Sequence, residues 1–314
     1  MKILIGLDIG GTNTELAWVD LFGNILKKIN YKTVQFSKAE QLVSVVGKAI
    51  LEGNKNFISD EIIGLGIGAP NGNYYKGTIE FAPNLGWEGI IPLSQMFEDR
   101  IQLTTKLTND ANAAAYAEML YGGAKKMSNF LVVTLGTGLG SGIVVNKQML
   151  YGSTGFAGEL GHTIVENNGR LCGCGRKGCL ETYASATGII KTIHQFLESS
   201  KQESSLRAIE KIESKDIYIA AQNGDECALK AIQYTGNILG KQLADYVALY
   251  SPEAIFIAGG LANAHSLLIP ATKNAMEENM LKIFKNTVEL FPSELLDQNA
   301  GLLGAAAMMM KRNN

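Results

Sequence analysis

The stretch LIGLDIGGTNTELAWVDLFGNIL (residues 4–26) is matched in order by a second, LVVTLGTGLGSGIVVNKQMLYG (residues 131–152). Each reads as an apolar strand, a Gly/Thr turn, a strand, a short polar turn and a further strand. That order predicts a three-stranded meander in each case. Two such modules in one chain predict a duplicated α/β fold with a ligand cleft between its halves. A chain of 314 residues is long enough for two such domains. A small domain is expected over 1–110 with 300–314 added, and a large one over 111–299.

Between the modules, Leu42, Val45, Val46, Ala49 and Ile50 recur at helical spacing within 38–57. A buried strand follows in IIGLGIGAP. FAPNLGWEGIIPL carries too many breakers for regular structure and reads as a binding loop. Leu103–Asn109 reads as a strand, and ANAAAYAEMLYG after it as a strong helix. Further helices are expected at about 182–200 and 225–250. The polar segment 199–215 is either a solvated helix or an exposed connection. EAIFIAGGLA is a strand ending at Gly259–Gly260, and AGLLGAAAMMMK a closing helix.

Three of the four cysteines fall within eight residues, in LCGCGRKGCLE (residues 171–181). Such clustering asks for a disulfide, a metal or a nucleophile. MKILIGLDIGG reaches Asp8 before a signal core can form, and no apolar run approaches the roughly 20 residues of a membrane span. A cytoplasmic protein with reduced thiols is therefore expected, which weakens the disulfide. His162 in GELGH lies upstream with nine residues between it and Cys172. His162, Cys172, Cys174 and Cys179 form a Cys₃His set, the donor set of closed structural zinc sites. Glycines at 173, 175 and 178 let a tight loop bring three sulfurs to one ion. Cys227, in a helical stretch, reads as a small buried residue.

Net charge is −2 with no long run of one sign, so neither a nucleic-acid surface nor an anionic membrane is expected as partner. The 35 glycines gather in loops, three times just after a strand: Gly10–Gly11–Thr12, Gly136–Thr137–Gly138 and Gly259–Gly260. None matches a Walker loop or a dinucleotide fingerprint. Singly, each could be an ordinary hairpin turn. Together, with threonine hydroxyls in two of them, they fit phosphate clamped by backbone N–H groups. Asp8, ending the first strand, is placed to hold Mg²⁺ directly or through water. In LTND, Asn109 and Asp110 stand where a strand gives way to a helix. Asp110 reads either as the helix N-cap or as a general base taking a proton from a substrate hydroxyl.

These motifs, DIGGTNT, PNLGW, LTNDANAAA, LGTGLGSG, GELGH, CGCGRKGCLE and IAGGLA, resemble in order those of the ROK family of bacterial sugar kinases and sugar-responsive repressors. The likeness runs nearly end to end, and the His–x9–Cys–x–Cys–x4–Cys array is its most specific part. Within the family the chain looks most like the ATP-dependent glucokinases. The resemblance implies the two-domain actin/hexokinase-like (ribonuclease H-like) fold, with ATP and a hexose as ligands and a homo-oligomer, first a dimer. It implies Asp110 as base toward the sugar 6-hydroxyl, with Asn84, Asn109, Glu159, His162 and Glu181 holding other oxygens. Gly10, Gly11, Thr12, Asn13, Gly136, Thr137 and Gly138 would clasp the phosphates, and Gly259 and Gly260 would border adenosine. One His162 nitrogen would bind zinc and the other donate to the sugar. Glu181 reads alternatively as a first-turn acid facing a helix dipole. Glucose, N-acetylmannosamine, N-acetylglucosamine, fructose and allose share these contacts, so the substrate stays open. Polyphosphate as donor and a sugar-sensing protein without catalysis are the remaining alternatives. A sensor of this kind carries a helix-turn-helix domain before the first phosphate turn, for which a first strand beginning at Ile3 leaves no room.

Overall fold

The computed structural model describes residues 1–295 and 299–310, apart from the side chains of Asn263 and His265. Residues 311–314, the end of the expected small-domain extension, lie outside that description. The first module folds as an antiparallel meander of β1 (Lys2–Ile9), β2 (Asn13–Asp20) and β3 (Ile25–Lys32). Helix α1 (Ala39–Asn54) returns the chain to β4 (Glu61–Gly68), which pairs parallel with β1. A small antiparallel sheet follows, of β5 (Gly72–Asn73), β6 (Thr78–Glu80) and β7 (Ile90–Ile91). Helix α2 (Leu93–Ile101) leads to β8 (Thr105–Thr108), parallel to β4, and then to α3 (Asp110–Leu120).

The second module opens with β9 (Phe130–Leu135), β10 (Leu139–Val145) and β11 (Gln148–Met149). Helices α4 (Ala186–Ser199), α5 (Ser214–Gln222) and α6 (Glu226–Tyr250) precede β12 (Ala254–Ala258), and α7 (His265–Asn279) precedes β13 (Glu289–Pro292). Helix α8 (Ala300–Ala307) closes the described chain. The two large sheets run β3-β2-β1-β4-β8 and β11-β10-β9-β12-β13, the same third-second-first-fourth-fifth order. The repeat in the sequence is thus a repeat of topology, and the chain has the expected α/β fold. Among the described residues no helix is long and apolar enough to cross a membrane.

The chain divides into two compact units whose boundaries differ from those expected. Met1–Lys126, Met149–Ala157 and Asp297–Asn314 form one, Met127–Gln148 and Gly158–Leu296 the other. A cut at 110 would split β8 from α3, but α3 packs on α8 within the first unit. The segment 199–215 is mostly a connection with a short turn of helix at Ser205–Ala208. Helices α2 and α7 carry no clear signal in the sequence, α2 because it is short and follows Pro92, α7 because it contains Pro270.

Both faces of the first sheet are covered, so Ile3, Leu4, Ile5 and Leu7 are all fully buried along β1. On one face Leu42, Val46 and Ile50 of α1 join Ile5, Leu7 and Trp18 in a single core. Helix α8 packs on β1 and β4, and only glycine admits its close approach. A Cβ at Gly66 would lie 1.7 Å from the Ala305 carbonyl oxygen, and one at Gly304 1.6 Å from that of Ala113. Gly304→Ala should therefore cost about 3 kcal/mol by overpacking. Urea unfolding reads it as a lower midpoint at unchanged slope, and an unchanged midpoint would show that α8 can slide.

Candidate active site

In the first unit the expected residues gather at the ends of β1 and β8. The Gly10–Asn13 turn is closed by Gly10 N–H donating to Asn13 O at 2.9 Å. Thr33 braces it twice, its amide donating to Thr12 O at 2.8 Å and its hydroxyl to Gly10 O at 2.7 Å. Gly11 abuts the PNLGW loop, where a Cβ would lie 2.8 Å from the Asn84 carbonyl oxygen. The Gly10–Asn13 turn and the exposed Asn84 are thereby neighbours.

Asn109, not Asp110, is the N-cap of α3. Its Oδ1 accepts from Asn112 N–H at 2.7 Å, which leaves its amide NH₂ outside the cap bond. Asp110 is the first helical residue, and one of its oxygens accepts from the Ala111 amide at 2.8 Å. The cap reading of Asp110 is corrected by this geometry. The side chain keeps solvent access, yet the surrounding protein desolvates its carboxyl and raises its pKa, against the opposing backbone hydrogen bonds.

Asp8, half-buried at the end of β1, is pushed up to about 7, first by burial and then by the charge of Asp110, with Glu15 adding and Asn299 and Lys28 opposing. A carboxyl so placed ionises readily only beside a cation, the property a magnesium ligand needs. Between 3.8 and about 7 the folded chain keeps a proton that the unfolded chain has lost. Stability without magnesium should thus fall as pH rises through that window, and Asp8→Asn should flatten the slope. Urea midpoints at several pH values in that window check this, and equal slopes in both proteins would sink it.

In the second unit the Gly136–Gly138 turn is closed by Gly136 N–H donating to Gly138 O at 3.0 Å. Gly259, at φ +88°, sits on the backbone of Leu135, just before that turn, while Gly260 faces open space. Two further turns place the cysteines. Leu171 bridges Lys177, Ile164 bridges Cys179, and Gly175 and Gly178 take positive φ. A side chain at Gly178 would run into the Glu166 carbonyl at 1.8 Å.

The donor atoms of His162, Cys172, Cys174 and Cys179 lie within 4.8 Å of one another. His162 Nδ1 is 3.6 Å from Cys172 Sγ, and Cys174 Sγ is 3.6 Å from Cys179 Sγ. A tetrahedral ion with Zn–S of about 2.3 Å and Zn–N of about 2.05 Å spaces its ligands about 3.5–3.8 Å apart. The donor set fits zinc in kind, and these two separations match the spacing of such an ion. Burial pushes the Cys172 thiol up, helped by its bond to Glu181 Oε1 at 2.9 Å. Burial works against Cys174, but the Arg176 amide and the neighbouring thiols hold it below the usual thiol range.

His162 Nδ1 thus faces the sulfurs, and its Nε2 lies 4.0 Å from Glu159 Oε2. A depression of about 470 Å³ beside them is lined by Glu159, His162, Thr163, Cys174 and Arg176. Arg176 also donates to the His162 carbonyl. Glu181 lies in the short helical turn Leu180–Thr182, with its Oε1 3.8 Å from His162 Nδ1. Sequence reasoning missed Thr33, Arg176 and the first turn of α4, whose roles rest on contacts distant in the chain. The one local signal was Ser185 three residues before Gly188, the spacing of an N-cap bond.

Comparison with known proteins places these features in company. The model of the ROK family matches residues 4–312. A glucokinase of Thermotoga maritima is 34% identical over 318 residues, covering 98% of this chain and 98% of its own. The structure of a ROK family glucokinase from Streptomyces griseus in complex with glucose and AMPPNP superposes with a TM-score of 0.82 at 31% identity, covering 98% of both chains. A ROK family transcriptional regulator, homolog of the E. coli MLC protein, superposes at 0.88 with 28% identity, covering 98% of this chain and 78% of that one.

Proposed function

The chain belongs to the ROK family, and on that premise we propose that it is a sugar kinase that transfers the γ-phosphoryl group of ATP to the 6-hydroxyl of a hexose, glucose first. The observation that carries this is Asp110. Its neighbour Asn109 caps α3, so the Asp110 carboxylate is not spent on the cap, and desolvation by the surrounding protein raises its pKa, which suits it to take a hydroxyl proton.

In this reading Asp110 orients the 6-hydroxyl and removes its proton as the phosphoryl group is attacked in line. Asn84 and the free amide of Asn109 hold other hydroxyls, and Glu159, His162 Nε2 and Glu181 hold further sugar oxygens. The amides of Gly11, Thr12, Asn13 and Thr137, outside the bonds that close their turns, face the phosphates. Gly260, with open space above it, borders adenosine. Asp8 would hold Mg²⁺, which when bound neutralises charge on the phosphates. His162, Cys172, Cys174 and Cys179 would hold Zn²⁺ as a closed structural site.

The likeness to a transcriptional regulator supports a second reading, a sugar sensor that binds without turnover. Coupled phosphorylation assays over glucose, N-acetylmannosamine, N-acetylglucosamine and fructose separate the two, with ATP and polyphosphate compared as donors. Glucose with ATP should give the highest kcat/KM. Sugar binding without phosphorylation of any of them would favour the sensor.

A further inference from the structure

Glu181 and Gly138 belong to different parts of the proposed site, one facing the hexose and the other in the nucleotide turn, yet they touch. A Cβ at Gly138 would lie 2.7 Å from Glu181 Oε2, so the carboxylate rests where a side chain would begin. The first turn of α4 joins the same two segments a second time. Ser185, fully buried, caps α4 by accepting from Gly188 N–H at 3.0 Å, and its hydroxyl donates to the Glu181 carbonyl at 2.6 Å. The next two residues reach the nucleotide turn. Ala186 N–H donates to Gly136 O at 2.9 Å, and the Thr187 hydroxyl donates to Thr137 O at 2.8 Å. Ser185 Oγ and Thr187 Oγ1 lie 3.1 Å apart, so one short bracket holds both segments.

We propose that Ser185 and Thr187 are positioning residues that tie the hexose-holding loop to the nucleotide turn, so that hexose and nucleotide each raise the other's affinity. This rests on reading Glu181 as a hexose contact and Gly136–Gly138 as a phosphate turn. A sugar hydroxyl that engages Glu181 fixes the carboxylate against Gly138. The turn then has less freedom left to lose when phosphate arrives, and the nucleotide binds at a smaller entropic cost. By linkage the factor is the same in both directions. The bracket lies outside both ligand contacts, so its loss should remove the coupling and spare each ligand bound alone.

Titration calorimetry of the full-length, metal-loaded chain with glucose and AMPPNP, each alone and each with the other saturating, tests this. In the wild type glucose should tighten AMPPNP binding about 5-fold or more, and the reverse equally. Thr187 is exposed, so Thr187→Val keeps shape and fold while losing the bond to Thr137 O. It should bind glucose alone within about 2-fold of wild type while its coupling factor falls below about 2. Gly138→Ala, which would push Glu181 aside, should weaken glucose binding even with no nucleotide present. Full coupling in Thr187→Val, or unchanged glucose affinity in Gly138→Ala, overturns the inference. A wild type that phosphorylates sugar without coupling overturns this inference alone. A wild type that binds no sugar overturns it together with the reading it rests on.

Discussion

Asp110→Asn will lower kcat by about 10² to 10⁴-fold, the usual loss of a general base, while glucose affinity stays within a few-fold. The amide has the shape of the carboxylate and its oxygen can still accept from the Ala111 amide, so the helix start is preserved. What it loses is the capacity to take a proton. Because Asn109 caps α3, stability should hold within about 1 kcal/mol, the upper end of a first-turn charge acting on a helix dipole. The loss of rate then cannot be ascribed to unfolding. Steady-state kinetics and a glucose titration on the same preparation decide it. Retention of more than a tenth of the wild-type kcat would show that Asp110 serves the helix and not the reaction.

Cys174→Ala will abolish stoichiometric zinc and weaken glucose binding by an order of magnitude or more, on the scale of lost metal-site support. Four protein donors fill a tetrahedron, so an ion there has no open position for a catalytic water. Its work would be to hold the loop that carries Glu181 and to orient His162. With the thiols protonated, Cys172 donates to Glu181 Oε1 at 2.9 Å, occupying an oxygen that a sugar hydroxyl would need. A thiolate on metal makes no such donation. Nucleotide affinity measured without sugar should move far less, because Gly136 and Thr137 are held by α4 and not by any cysteine. Atomic absorption beside glucose and AMPPNP titrations measures all three. A zinc-free wild type that phosphorylates sugar at full rate would refute the role given to the cluster.

The features legible in the sequence are those whose physics is local. The doubled strand–turn–strand order specifies each meander because neighbouring strands joined by tight turns pair with each other. The cysteine cluster was legible because Cys172, Cys174 and Cys179 lie within one short loop, whose glycines permit the turns that gather sulfur. What tertiary structure decided involves residues far apart in the chain. Whether Asn109 or Asp110 caps α3 depends on how β8 delivers the chain to the helix, a choice that two adjacent, equally good capping residues leave open. The raised pKa of Asp8 comes from burial and from Asp110, a residue a hundred positions away. The first unit's boundary lies past α3 because α8, from the other end of the chain, packs against it through Gly304. The contact of Glu181 with Gly138 exists only once α4 is docked on the Gly136–Gly138 turn. Local spacing determined which groups this chain carries. Long-range packing, which trades chain entropy for contacts that no short window encodes, decided which of them meet and in what state of charge.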